Sequence, residues 1–117
     1  MKAATVAKKF EFSAANHLPD YKGDCANVHG HNYVLDVRVK GEVNPKTGMV
    51  IDFRDLSNIV REIVLSRLDH SDLNETIKNP TAENIAVWIY DALKPELKGL
   101  YEVQLWENEK SSVIYSP

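Results

Sequence analysis

Residues 25–40 read Cys25-Ala-Asn-Val-His29-Gly-His31-Asn-Tyr33-Val-Leu35-Asp-Val37-Arg-Val39-Lys40. From Tyr33 onward apolar and polar residues alternate, which is typical of a β-strand with one buried face. If His31 opens this strand, the imidazoles of His29 and His31 leave the same face, because side chains two residues apart point the same way. Two neutral imidazoles on one face are half of a tetrahedral zinc site. The stretch therefore predicts a strand and a metal site together.

The same period of two predicts three further strands, over residues 6–14, 101–107 and 113–115. In the third strand Tyr101, Val103, Leu105 and Glu107 share one face, and residues 49–51 could extend the sheet. Between the second and third strands, two segments have helical apolar spacing. Asp52 precedes the first, and Asn79-Pro-Thr81 opens the second, which Pro95 stops. The order ββααββ predicts an α+β fold, with a four-stranded antiparallel sheet and two helices on one face.

Composition limits the kind of protein that this chain can be. Its 117 residues predict a single domain, residues 1–117. The formal net charge of −3 and the lack of a basic stripe argue against nucleic acid as the main partner. The sequence contains no segment of membrane-spanning length and no leader-like apolar start, so no membrane partner is expected. A single cysteine excludes an internal disulfide and favours a reducing, cytoplasmic setting.

A catalytic zinc needs three protein ligands and an open position. His17, at the end of the first strand, can be the third ligand if the first two strands pair side by side. Cys25 lies close enough in sequence to reach the same site, where a nearby dication would lower the pKa of its thiol and make it a base. The competing interpretation is ordinary burial, since a lone cysteine is often a small core residue and single histidines often line a surface or core.

Two more groups are candidates for chemistry. Asp69-His70 ends the first predicted helix. Asp69 can fix the tautomer of His70 for proton transfer with Cys25, although a histidine at a helix end is also favoured by the helix dipole alone. Glu107 can accept two hydrogen bonds from a guanidine-like ligand edge, or it can lie past the strand end in water.

Several separated motifs in this order resemble the 6-pyruvoyltetrahydropterin synthase / 6-carboxytetrahydropterin synthase family over essentially the whole chain. The motifs are Phe12-Ser-Ala-Ala15 followed by His17, Cys25-x-x-x-His29-Gly-His31-Asn-Tyr33, Gly48-Met-Val-Ile-Asp52-Phe53, Leu68-Asp69-His70-x-x-Leu73-Asn74, Asn79-Pro-Thr81-x-Glu83 and Glu107.

The resemblance implies a tunnelling fold (T-fold) and a homohexamer, a dimer of trimers with active sites at subunit interfaces. It implies zinc held by His17, His29 and His31. It also implies catalysis by Cys25 with Asp69 and His70, and a pterin anchored by Glu107.

The reaction implied is conversion of 7,8-dihydroneopterin triphosphate to 6-carboxy-5,6,7,8-tetrahydropterin with release of acetaldehyde and triphosphate, a step toward queuosine. One alternative is triphosphate elimination to 6-pyruvoyltetrahydropterin. A folate-linked branch is disfavoured by Cys25, because that branch typically has glutamate there. A non-enzymatic module with a structural zinc, Cys25 being the fourth ligand, is the remaining alternative. For the triphosphate, Lys22, Arg38 and Lys40 are candidates by charge alone.

One departure from the family pattern concerns the first zinc histidine, which usually follows the two alanines directly. Here Asn16 intervenes between Ala15 and His17. By strand parity Asn16, not His17, continues the face of Phe12. Either a one-residue bulge turns His17 inward, or Asn16 occupies the ligand position. We expect His17 to be the ligand, because imidazole binds zinc better than an amide does.

Overall fold

The structure is a computed structural model that describes residues 1–19, 22–23 and 27–117. Its framework is a long β-hairpin. Its strands are β1 (Ala3–Asn16) and β2 (His29–Glu42), each 14 residues long. They pair antiparallel from Ala3 opposite Glu42 to Asn16 opposite His29, with no shift of register. The two strands predicted from alternation are confirmed, and both extend beyond the alternating segments.

Three shorter strands complete a sheet in the order β3-β1-β2-β4-β5. Strands β4 (Leu100–Trp106) and β5 (Ser112–Tyr115) are antiparallel to their neighbours. Strand β3 (Ser71–Asp72) runs parallel to the end of β1. The α+β class and the four predicted strands are confirmed, but the sheet has five strands and is mixed, whereas the sequence predicts a four-stranded antiparallel sheet. The two-residue β3, which makes the sheet mixed, is too short to show a period in the sequence.

Two further expectations about the sheet are wrong. Tyr101 does not share the buried face of Val103, because the β2–β4 register shifts between Arg38 and Val39. This irregularity leaves Tyr101 47% exposed and buries Leu100 in its place. Residues 49–51 form no strand and belong to the bend that follows the turn after β2.

The first helical segment runs without a break through α1 (Phe53–Val60), a π-helical turn (Arg61–Leu65) and α2 (Ser66–Leu68). Asp52 caps it by accepting a hydrogen bond from the backbone N–H of Arg54. Every fourth residue is fully buried along this segment: Leu56, Val60, Val64 and Leu68. A regular α-helix would rotate such a series by about 40° per step, and the wider π turn reduces that drift.

The second helix, α3 (Ala82–Leu93), begins directly after Asn79-Pro-Thr81, as the sequence predicts, and the Thr81 side chain caps it by accepting a hydrogen bond from the backbone N–H of Asn84. Its buried face packs with the first helical segment and the sheet in one core cluster. None of the helices in the described part of the chain has the length and apolar character that a membrane crossing requires.

Two glycines with left-handed backbone offer a test of the fold. Gly48 (φ 75°) has open space where a Cβ would lie, whereas a Cβ on Gly99 (φ 85°) would lie 2.6 Å from the backbone oxygen of Lys40. We expect Gly48→Ala to lower the free energy of unfolding by about 1 kcal/mol, from backbone strain alone. Gly99→Ala should lower it by at least about 2 kcal/mol, because the β2–β4 junction must also move. Urea unfolding at one protein concentration checks this, and equal losses would contradict the close approach.

Candidate active site

His29 and His31 lie on the same face of β2, as the sequence predicts. Their ring centroids are 4.9 Å apart and the rings are nearly perpendicular. Nδ1 of His29 is 2.8 Å from the carbonyl oxygen of Asn27. With that nitrogen donating to the carbonyl, Nε2 of His29 keeps its lone pair for a metal or a substrate proton.

Glu107 lies one residue past the end of β4, and its side chain contacts His31. Oε1 of Glu107 is 3.5 Å from Nε2 of His31, and the two side chains are 35% and 24% exposed. The strand-end position was one of the two interpretations of Glu107, but the contact with His31 places the carboxylate at the imidazole pair. A partly exposed carboxylate beside an imidazole can accept hydrogen bonds from a planar ligand edge.

Tyr33 forms the buried floor next to this pair. Its ring stacks on Phe12 at 4.9 Å and meets the edge of His31 at 5.6 Å. The buried hydroxyl has no hydrogen-bond partner among the residues that the structure describes. Burial, and secondarily the negative charge of Glu107, raises the pKa of Tyr33.

Asp69 and His70 are held beside β1 by the backbone of one residue, Ser13. The Ser13 N–H donates to Oδ1 of Asp69 at 3.0 Å, and the His70 N–H donates to the Ser13 carbonyl at 2.6 Å. His70 takes a left-handed conformation, with φ of 58°, and its side chain is 84% exposed. A non-glycine residue in this conformation is uncommon and is often found at functional sites.

His31 belongs to two adjoining surface depressions. One, of about 530 Å³, also has His70 in its lining. The other, of about 610 Å³, has Glu107 in its lining. The structure therefore brings His29, His31, Glu107 and His70 to one end of the sheet.

The structure does not bring all predicted ligands together. His17 follows the last residue of β1, and the described residues contain no group of three or more His, Cys, Asp or Glu side chains placed to hold a metal. The His29–His31 pair fits two positions of a zinc site, and the three-histidine set does not assemble among these residues. Cys25, the predicted thiolate base, lies outside the described residues.

Comparison with known proteins identifies the family. A model of the family described as 6-pyruvoyl tetrahydropterin synthase matches residues 5–117. The chain belongs to this family. The resemblance seen in the separated motifs is confirmed.

This chain is similar over most of its length to named relatives and to a solved structure of the family. Over 99 residues, 80% of this chain and 73% of the relative, it is 41% identical to the 6-pyruvoyl tetrahydrobiopterin synthase of Dictyostelium discoideum. Over 118 residues, 94% of this chain and 91% of the relative, it is 36% identical to the 6-carboxy-5,6,7,8-tetrahydropterin synthase of Synechocystis. The structure of Caenorhabditis elegans 6-pyruvoyl tetrahydropterin synthase is 31% identical and matches with a TM-score of 0.91, covering 100% of this chain and 97% of that one. The T-fold is thereby confirmed.

The sequence did not predict that the Asn74 side chain binds the backbone of His17. Asn74 accepts from the His17 N–H at 2.9 Å and donates to the His17 carbonyl at 3.0 Å. The side-chain amide thus pairs with the His17 backbone as another peptide would. Asn74 was part of a matched motif, but a motif gives residue types without their contacts.

Arg38 is a poor candidate for the triphosphate. Its guanidinium binds Glu102, Gln104 at 2.7 Å and Asp36 at 3.2 Å. The hydrogen bond with Glu102 is the main cause that raises the pKa of Arg38. Two carboxylates already neutralise this cation, so a phosphate would have to displace them.

The left-handed backbone at His70 predicts an unusual order of stabilities. We expect His70→Gly to be more stable than His70→Ala by about 1 kcal/mol, because glycine adopts positive φ without the penalty of a Cβ. At exposed Glu62, inside the first helical segment, the order should reverse, since alanine is favoured over glycine in a helix by about 1 kcal/mol. Urea unfolding of the four variants checks both orders, and alanine above glycine at both positions would contradict the conformation of His70.

The buried Tyr33 hydroxyl predicts a loss of stability at alkaline pH. An unfolded tyrosine loses its proton near pH 10, whereas folded Tyr33 keeps its proton to higher pH because burial raises its pKa. The folded state then binds more protons, so the free energy of unfolding falls as pH rises above about 10. Tyr33→Phe should be as stable as the parent near pH 8 and lose less stability above pH 10. Unfolding curves from pH 8 to 11 check this, with the exposed Tyr101→Phe as control, and identical slopes would refute it.

Proposed function

We propose that this chain is a zinc-dependent lyase that converts 7,8-dihydroneopterin triphosphate to 6-carboxy-5,6,7,8-tetrahydropterin, releasing acetaldehyde and triphosphate. The observation that carries the proposal is the position of His31 in a chain of the pterin synthase family. His31 contacts His29 and Glu107 and shares a surface depression with His70. The residues proposed to bind metal, bind substrate and transfer protons are thus neighbours at one end of the sheet.

Glu107 is the proposed anchor of the pterin. The 2-amino-4-oxo edge of a pterin presents adjacent N–H donors, and a carboxylate accepts such a pair with two charge-assisted hydrogen bonds. The side chain of Glu107 is about one-third exposed, so a ligand can reach it. Its depression also includes His31, and we propose that the side chain of a bound pterin lies toward the imidazole pair.

Proton transfer is proposed for Cys25, Asp69 and His70. In the family resemblance Cys25 removes a carbon-bound proton of the substrate, and His70 exchanges protons with it. The Ser13 N–H holds Asp69, and the Nε2 atom of His70 lies 3.7 Å from Oδ2 of Asp69. Zinc, when bound by His29 and His31 with a third donor, would supply Lewis acidity to the substrate's side-chain oxygens.

The choice of product rests on the spacing of two residues. Named relatives of similar identity include a carboxy-forming synthase from Synechocystis and a pyruvoyl-forming synthase from Dictyostelium. The short segment between His17 and Cys25 favours the carboxy-forming branch by resemblance. The 6-pyruvoyl product is the second candidate, on the Dictyostelium similarity.

A homohexamer with sites at subunit interfaces is also proposed. The two-residue β3 covers only the end of β1, and β5 is the other edge of the sheet. Such open edges are normally covered or paired. Light scattering after gel filtration should give a mass six times that of the 13.2-kDa chain, and a monomer would refute the proposal.

The product assay tests the reaction. Zinc-loaded protein is incubated with 7,8-dihydroneopterin triphosphate under reducing, anaerobic conditions, and the products are identified by mass spectrometry. Acetaldehyde with a carboxypterin is expected, and a pyruvoyl product without acetaldehyde would establish the second candidate. Zinc binding without turnover would overturn the enzyme proposal and favour a structural zinc module.

Two substitutions test the roles within that reaction. Glu107→Gln should raise KM by about tenfold to a hundredfold, because a charged hydrogen-bond acceptor is lost, while Glu96→Gln at an exposed turn should change nothing. An unchanged KM for Glu107→Gln would exclude Glu107 as the anchor.

Cys25→Ala should abolish turnover with zinc still bound. Near-normal turnover of this variant would exclude the Cys25 thiolate as the base.

A further inference from the structure

Asn16 is a buried polar residue whose hydrogen bonding is incomplete. The residue is only 2% exposed. Its Nδ2 atom donates to the carbonyl oxygen of Pro80 at 3.0 Å. Its Oδ1 atom is buried and has no hydrogen-bond partner among the described residues. Buried polar atoms are nearly always partnered, so an orphaned acceptor indicates a missing donor or cation.

The register of the hairpin places this amide with the imidazole pair. Asn16 is directly opposite His29, and Ala14 is directly opposite His31. Opposite residues of an antiparallel pair point to the same face, with Cβ atoms about 5 Å apart. Asn16, His29 and His31 therefore occupy one face at the end of the β1–β2 hairpin.

His17 is placed differently. It follows the strand, and the unbroken register contains no bulge that would turn it onto the face of Asn16. The Asn74 side chain hydrogen-bonds to both the backbone N–H and the backbone carbonyl of His17, and its Nδ2 atom is 3.5 Å from Nε2 of the His17 ring. Although the Nδ1 atom of His17 is also buried without a partner among the described residues, its ring joins no metal-competent group there.

We propose that the side-chain oxygen of Asn16 is the third protein donor of a metal site with His29 and His31, in the position that the family resemblance gives to His17. This inference rests on the proposed zinc dependence. Three protein donors leave the fourth position of a tetrahedral zinc for a substrate oxygen. A neutral amide oxygen binds zinc more weakly than imidazole, so this chain would hold zinc less tightly than a three-histidine site does.

Zinc affinity measured without substrate tests the assignment. The parent and the variants Asn16→Ala, Asn16→His, His17→Ala and His29→Ala are freed of metal and titrated with Zn²⁺ against a chromophoric chelator. Circular dichroism and thermal unfolding verify that each variant is folded. Asn16→Ala should weaken zinc binding at least about tenfold, since loss of even an outer-shell partner can cost that much. His29→Ala should weaken it as well, Asn16→His should tighten it, and His17→Ala should stay close to the parent.

The outcomes separate this inference from the proposed function. Weaker binding by His17→Ala, or parent-like binding by a folded Asn16→Ala, would overturn the role of Asn16 and leave zinc dependence standing. If Asn16→Ala does not fold, Asn16→His decides, because unchanged affinity in that variant would overturn the proposal. A parent that binds no zinc would overturn both this inference and the zinc dependence of the reaction.

Discussion

The continuous register between β1 and β2 is the constraint on which the site depends. Side chains alternate between the two faces of a strand, so a slip of one residue would move every side chain of the moved strand to the opposite face. His29 and His31 would then leave the face that contacts Glu107. The buried residues Phe12 and Tyr33, which stack on each other in this register, make such a slip costly. Core packing and site geometry are therefore fixed by the same pairing.

The same strand also positions Asp69 and His70, the residues proposed to transfer protons. Ser13 uses its N–H for Asp69 and its carbonyl for the His70 N–H, which begins the parallel contact of β3 with β1. A left-handed histidine costs about 1–2 kcal/mol, and two such hydrogen bonds contribute about that much. The backbone strain at His70 is thus offset by hydrogen bonds to β1, the strand in which Ala14 lies opposite His31. Strand β1 therefore positions both the Asp69–His70 segment and the histidine pair of β2.

Much of the fold could be predicted because its elements are long and amphipathic. Alternation predicts β1 and β2, and the apolar spacing predicts the helix that contains Leu56. Features set by one or two residues could not be predicted: β3 is too short to have a period, and the irregularity beside Arg38 exchanges Tyr101 for Leu100 on the buried face. These depend on how strands meet, which a single strand's pattern does not encode.

The site shows the same division between pattern and geometry. The spacing of His29 and His31 predicts their contact, because both lie on one regular strand. Which residue is the proposed third metal ligand depends on where β1 ends. At that point the residue's chemical type favours one candidate, and the strand face on which it lies favours another. Imidazole is the better zinc ligand, which favours His17, whereas parity and burial favour Asn16. A ligand must first lie on the right face, since a donor of higher affinity contributes nothing when the backbone aims it elsewhere. Under the proposed assignment of Asn16, position outweighs residue type at this strand end.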